Sequence, residues 1–314
     1  MKVFLCESIH PQALELLKSR AEIVSDWDRI GEVDAIINRN LKLPYEVLVK
    51  APHLKVIAVH GTGSDGIDLE YCDEKGITIV YIPFQNADSV AELIVTLTLA
   101  LLRKIPLADR LVTSGKLTQN APPELFGNEL RGKTVGLIGV GDIARRMSRI
   151  MIHGFGCKVI GYDPYFPAEK AGEVGIERRD TPEEVMAQAD VISLGVHLTD
   201  STANMINARR LALCKPTAVL VNASRGGVVD EEALYHALKN GQLAAAACDV
   251  WASEPPTLDN PLVGLPNVLA TPHLGANTDE ALTRVGVRMV EDIFTVLDGG
   301  QAEFTYSLHG TRTN

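Results

Sequence analysis

Short runs of Val, Ile, Leu and Ala recur along this chain, apolar at successive rather than alternate positions. They fall at Val3–Leu5, Val56–Val59, Ile77–Val80, Val135–Ile138, Val159–Tyr162, Val191–Leu194, Ala218–Asn222, Ala245–Val250 and Val268–Thr271. A strand of that kind is buried on both faces, the condition of a parallel sheet covered by helices. Longer helical patterns separate the runs, and the alternation predicts an α/β architecture. At 314 residues, with 46% hydrophobic and 22% charged residues, the chain has room for two domains and apolar material for both cores.

Two helical patterns lie where one set of strands gives way to the other. The first runs from Ser89 to Val112, with apolar residues at Val90, Leu93, Ile94, Leu97, Leu101 and Leu102. The second runs from Thr278 to Leu297, with Thr278 as its cap and Asp279 and Glu280 in the first turn. Read as crossings between lobes, they divide the chain into a discontinuous substrate domain, 1–99 with 285–314, and a dinucleotide-binding domain, 100–284. The segment Ser114–Asn128, rich in Gly, Pro and Asn, reads as a loop.

A net charge of −10 disfavours binding to nucleic acid or an anionic membrane surface. No apolar run is long enough to span a bilayer, and the N-terminus lacks signal-peptide regions. The five cysteines are scattered and include no C-x-x-C pair, so neither a disulfide framework nor a metal site is expected. They read as small buried hydrophobes of a reducing, cytoplasmic protein.

The stretch Val135–Ala144 reads as a strand entering a Gly-x-Gly-x-x-Ala turn, with Gly139, Gly141, Asp142 and Ile143 at its heart. The first glycine permits the tight turn, the second lets backbone approach a pyrophosphate, and Ala144 lets helix and strand pack closely. The helix that opens there offers free N–H groups and a positive dipole end. A second strand then ends in Asp163, close to the ~20 residues after the turn at which an acid meets the adenosine ribose. A carboxylate there accepts from ribose hydroxyls and repels a 2′-phosphate, which favours NAD over NADP. Asp142 suits the helix dipole but puts a negative charge near the pyrophosphate.

Later strands end in Asn222–Gly227, Asp249–Pro255 and Thr271–Gly275. Ligands of open parallel sheets bind beyond the carboxyl ends of strands, so Arg225, Glu254 and His273 are placed to converge on a nicotinamide. Reduction of a ketone needs a proton donor at the carbonyl oxygen, which a histidine provides in either direction. Glu254 would orient the imidazole, and the planar fork of Arg225 suits a carboxylate.

These blocks resemble the D-isomer-specific 2-hydroxyacid dehydrogenase family, which includes phosphoglycerate, hydroxypyruvate and D-lactate dehydrogenases. The resemblance covers nearly the whole chain and includes Leu54–Asp68, Asn86–Glu92, Gly132–Ala144, Asn222–Asp230, Asp249–Pro255 and Thr271–Ala276. It implies two Rossmann/flavodoxin-like lobes with parallel sheets, an active site in the cleft between them, and a homodimer. It also implies NAD as cofactor, a small 2-keto/2-hydroxy acid as substrate, Arg225 on substrate, and His273 as acid/base paired to Glu254. Asp249 would lie near the nicotinamide amide, with Ala223, Ser224 and Gly275 along the cofactor. The loop Val59–Ser64, with His60, Gly61, Thr62 and Gly63, resembles the one whose N–H groups hold the substrate carboxylate. An NAD-sensing relative of the C-terminal-binding-protein corepressors, or a family member acting on formate or phosphite, are the alternatives.

Overall fold

The structure is a computed structural model that describes residues 1–64 and 66–306, with backbone alone at 168, 169 and 171. Its strands are β1 Lys2–Leu5, β2 Glu22–Val24, β3 Ala35–Asn38, β4 Val56–Val59, β5 Thr78–Tyr81, β6 Thr134–Ile138, β7 Lys158–Tyr162, β8 Ile176–Arg178, β9 Val191–Leu194, β10 Val219–Asn222, β11 Ala245–Cys248, β12 Val268–Ala270 and β13 Thr305–Tyr306. They form two sheets in two compact units, one of Met1–Asn86 with the chain from Ala276 onward, the other of Ala87–Gly275.

In the first unit β2-β1-β3-β4-β5 lie parallel in that order, and β13 joins the β5 edge antiparallel. That is the flavodoxin-like order. Alternate residues of β3 feed opposite faces. Ala35 and Ile37 pack with Ala13 and Leu17 of the helix Pro11–Lys18 and with Val285, Met289 and Ile293 of the helix Asp279–Leu297. Ile36 packs with Leu43, Leu48 and Ile57 on the other face. Thr278 caps the latter helix as its sequence predicts, its Oγ1 accepting from Ala281 N at 3.2 Å.

The second unit holds seven parallel strands in the order β12-β11-β10-β9-β6-β7-β8. This is the doubly wound order, which reverses between β6 and β9, the position where such sheets bind ligands. The helix Ala87–Leu102 covers one face through Val90, Ala91, Ile94 and Leu97, which pack with Val135, Leu137, Val221 and Ala247.

Two expectations are corrected. The pattern from Ser89 to Val112 is not one helix but two, Ala87–Leu102 and Ile105–Thr113, with Lys104 between them in the left-handed region at φ 53°. Pro106 is the cause: in a continuous helix its ring would clash with the carbonyl of Leu102, which accepts instead from Asn128 N at 2.8 Å. The units also change over at 86/87 and 275/276, rather than inside the helices at 99/100 and 284/285. Each crossing helix buries its apolar face wholly in one sheet's core, so each belongs to one unit from its first turn.

Candidate active site and cofactor site

The β6 turn lies at the reversal of strand order. Gly139 adopts φ 92°, and a Cβ there would stand 2.5 Å from the carbonyl oxygen of Gly195, the residue following β9. Only glycine fits where these two strand ends close on each other. Gly141 faces open space, with nothing within 4 Å of where a Cβ would be. Helices beginning after Asp68, Thr181, Asn207, Asp230 and Thr278 are capped by those side chains, whereas no side chain among the described residues caps the helix Asp142–Arg149 after Gly141. An open approach to uncapped first-turn N–H groups at a switch point is what a dinucleotide pyrophosphate requires, so these residues fit the cofactor.

Asp163 closes the same turn from the end of β7. Its Oδ2 accepts from Val140 N at 2.8 Å and its Oδ1 from Tyr165 N at 2.9 Å. The Asp142 carboxylate is ion-paired: Arg146 Nε lies 3.0 Å from its Oδ2 and Arg145 Nη2 3.9 Å from its Oδ1.

Arg225, Glu254 and His273 follow β10, β11 and β12 in this unit. His273 Nδ1 and Glu254 Oε2 are 2.9 Å apart, and Glu254 Oε1 accepts from Trp251 N at 3.0 Å. Burial opposes ionisation of Glu254, but the hydrogen bond and charge of His273, the Trp251 N–H and the Arg225 charge outweigh it and hold its pKa below the usual carboxylate value. With Nδ1 on Glu254, the other ring nitrogen, Nε2, has no partner among the described residues. Arg225 lies on a turn organised by buried Asn222, whose Nδ2 donates to Arg225 O and whose Oδ1 accepts from Ser224 N and Oγ. The next residue, Gly226, has no room for a side chain, because a Cβ would lie 1.9 Å from the Trp251 carbonyl carbon. This contact locks the Arg225 turn to the segment carrying Glu254.

Asp249 is fully buried. Its carboxylate accepts from Thr271 Oγ1 at 2.7 Å, Leu274 N at 2.7 Å and Gly275 N at 2.9 Å, and its carbonyl accepts from His273 N at 2.7 Å. Its bonds thus bracket His273, which sits at φ 58°, a left-handed conformation that a β-carbon disfavours. Sequence reasoning placed Asp249 toward the cofactor and did not identify Asn222, Trp251 or Thr271 as supports. No local pattern marks them, since their roles exist only once adjacent strand ends are aligned.

The candidate substrate loop belongs to the first unit, after β4. His60 N donates to Asn38 O and Gly61 N to Val59 O. The N–H groups of Thr62, Gly63 and Ser64 have no partner among the described residues. The His60 side chain is buried at 7% exposure, and its Nε2 has no hydrogen-bond partner among the described residues. Burial, aided by the Arg39 charge, lowers its pKa to about 4, so the ring is neutral near pH 7. All five cysteines are unpaired, four of them buried and Cys6 partly so. No metal-binding cluster occurs among the described residues, and no helix among them is long and apolar enough to cross a membrane.

Residues 95–275 match the family model described as D-isomer specific 2-hydroxyacid dehydrogenase, NAD binding domain. NAD is therefore the cofactor of this domain. The chain is 40% identical over 312 residues to D-3-phosphoglycerate dehydrogenase of Methanocaldococcus jannaschii, covering 96% of this chain and 59% of that protein. It is 38% identical over 308 residues to hydroxypyruvate reductase of Thermotoga maritima, covering 94% of this chain and 98% of that one. The chain thus spans about three-fifths of the archaeal phosphoglycerate dehydrogenase and nearly all of the reductase. Among solved structures, D-lactate dehydrogenase from Aquifex aeolicus complexed with NAD and lactic acid superposes with TM-score 0.83 at 30% identity, covering 95% of this chain and 96% of that one.

Proposed function

The chain belongs to the D-isomer specific 2-hydroxyacid dehydrogenase family, and from that premise we propose that it interconverts a small 2-keto acid and its 2-hydroxy acid with NAD. The observation that carries the proposal is the His273–Glu254 pair, 2.9 Å apart on consecutive strand ends of the NAD binding unit. NADH, when bound, supplies the two reducing electrons.

The protein's own groups supply binding and the proton. With Nδ1–H held by Glu254, His273 presents Nε2 to the C2 oxygen, giving a proton in reduction and taking one in oxidation. Glu254 fixes the tautomer and stays ionised, as its lowered pKa supports. The guanidinium of Arg225 holds the substrate carboxylate, and the N–H groups of Thr62, Gly63 and Ser64, without a partner among the described residues, are further donors suited to such a group. Gly139, Gly141, Asp142 and Ile143 line the pyrophosphate turn, Asp163 takes the ribose, and Ala223, Ser224, Asp249 and Gly275 border the nicotinamide side.

The loop His60–Ser64 carries no Arg or Lys, and His60 is neutral. A second, dianionic group needs a cation, so a compact unphosphorylated acid such as hydroxypyruvate or glyoxylate is the proposed substrate. A homodimer is part of the same reading. The helix Ile105–Thr113 buries none of its residues, and Ile105 and Val112 are exposed, an apolar face suited to a second copy. The unpaired thiols agree with a cytoplasmic setting.

The test is NADH oxidation against a panel of 2-keto acids, phosphohydroxypyruvate included, with wild type and His273→Ala. Turnover of a small keto acid, reduced at least ~100-fold in kcat by His273→Ala, is the expected result. Cofactor binding without turnover of any keto acid would instead favour a sensor of NAD.

A further inference from the structure

The helix that opens the pyrophosphate turn begins with an acid, Asp142, at the point where a ligand bearing two negative charges is to be received. Left alone, that carboxylate would oppose the ligand across a short distance. It is not left alone. Arg146, one turn along, places Nε 3.0 Å from Asp142 Oδ2 and Nη1 2.6 Å from Asp88 Oδ1, while Arg145 Nη2 lies 3.9 Å from Asp142 Oδ1. Asp88 is in the first turn of the helix Ala87–Leu102, which packs against this one. The guanidinium is therefore held from both ends, by the acid it neutralises and by an acid on the neighbouring helix. At 32% exposure for the Arg146 side chain and 25% for Asp142, the pair is partly withdrawn from water, where screening is weaker than at an open surface. Arg145 is drawn the other way as well, its guanidinium 6.0 Å over the ring of Phe166, just past Asp163.

We propose that Arg146, clamped between Asp142 and Asp88, is a positioning residue for NAD binding: it cancels the charge of Asp142 and so keeps the first turn of the helix open to the pyrophosphate. The inference rests on the assignment of the turn Gly139–Ala144 to the cofactor and adds a residue outside that turn. It accounts for an acid being tolerated at the mouth of the site. Asp142 opposes the cofactor only when Arg146 is gone.

The experiment is a double-mutant cycle read by NADH fluorescence titration at fixed low salt, with thermal denaturation as a check on folding. Arg146→Gln is expected to raise the Kd for NADH by about tenfold, equal to about 1.4 kcal/mol. Asp142→Ala in the Arg146→Gln background is expected to restore most of that loss, because the charge being cancelled is no longer there. Asp88→Asn separates charge cancellation from the tie between helices. It frees Arg146 from the neighbouring helix but leaves the Asp142 pair, so its loss should be much smaller than that of Arg146→Gln. An unaffected Kd in Arg146→Gln would overturn the inference. So would a double variant as weak as the single one, which would mean that Arg146 meets the phosphates itself, or an Asp88→Asn loss equal to that of Arg146→Gln, which would make the helix tie the cause. Wild-type protein that binds no NADH would overturn the cofactor assignment itself, an outcome distinct from all three.

Discussion

The burial of His60 has a consequence that can be measured apart from activity. The imidazole is 7% exposed, its Nε2 lacks a partner among the described residues, and its pKa falls from 6.5 to about 4, chiefly by desolvation and next by the Arg39 charge. The folded state therefore holds the neutral ring, while the unfolded chain takes up a proton near pH 6.5. Between those values unfolding binds a proton, so stability falls as pH falls from 6.5 toward 4 and is unaffected by this group above 6.5. The full difference amounts to about 3 kcal/mol, most of it lost by pH 4.5. His60→Leu removes the titrating group, so the stability difference between variant and wild type should shift in the variant's favour by about 2–3 kcal/mol from pH 7.5 to 4.5. Every other group titrates alike in both proteins and cancels. The chain has two tryptophans, Trp27 in the first unit, packed on Phe4, and Trp251 in the second. Urea unfolding in a Trp251→Phe background thus reports the unit that holds His60. A difference that stays flat between pH 6.5 and 4.5, or a His60 ring resonance that titrates near 6.5, would refute the reasoning.

Two further outcomes follow from the second unit. Asp163→Ser should cut the preference for NADH over NADPH in kcat/KM by at least about tenfold, because the charge that repels a 2′-phosphate is lost; wild-type protein that uses both cofactors equally would remove the assignment. Asp249→Ala unties three hydrogen bonds that fix the His273 segment, so kcat should fall by about 100-fold or more while the variant still folds and binds NADH in titration. Equal turnover in Asp249→Ala and wild type would show that the His273 conformation holds without it.

The parts of the fold legible from sequence were those whose signal is local and repeated. Strands four or five residues long with no polar interruption, such as Val56–Val59, declare a sheet buried on both faces. Of the strands missed, Glu22–Val24, Ile176–Arg178 and Thr305–Tyr306 have three residues or fewer, and Ala35–Asn38 offers only three apolar residues before its Asn; pairing with a neighbour, not composition, makes them strands. The helix break at Lys104 was written in the chain as Pro106 but was overridden by an apolar period that runs through it. The candidate site divides along the same line. Arg225, Glu254 and His273 could be nominated because each ends a strand of one sheet, and parallel strands deliver their carboxyl ends to one edge. Their supports could not, because Asp249 acquires its role from Thr271, Leu274 and Gly275 more than twenty positions away, and Asn222 from a turn that closes only against Trp251. Asp142 shows the limit from the other side. Its residue type suggested a defect in the phosphate turn, and the remedy was legible one helical turn on, at Arg146, to anyone who read the i,i+4 spacing as a charge pair. What no spacing could supply was Asp88, which holds the same guanidinium from a helix more than fifty residues earlier. That second contact joins the pair into a three-charge network, while the cancellation of the Asp142 charge rests on Arg146 itself.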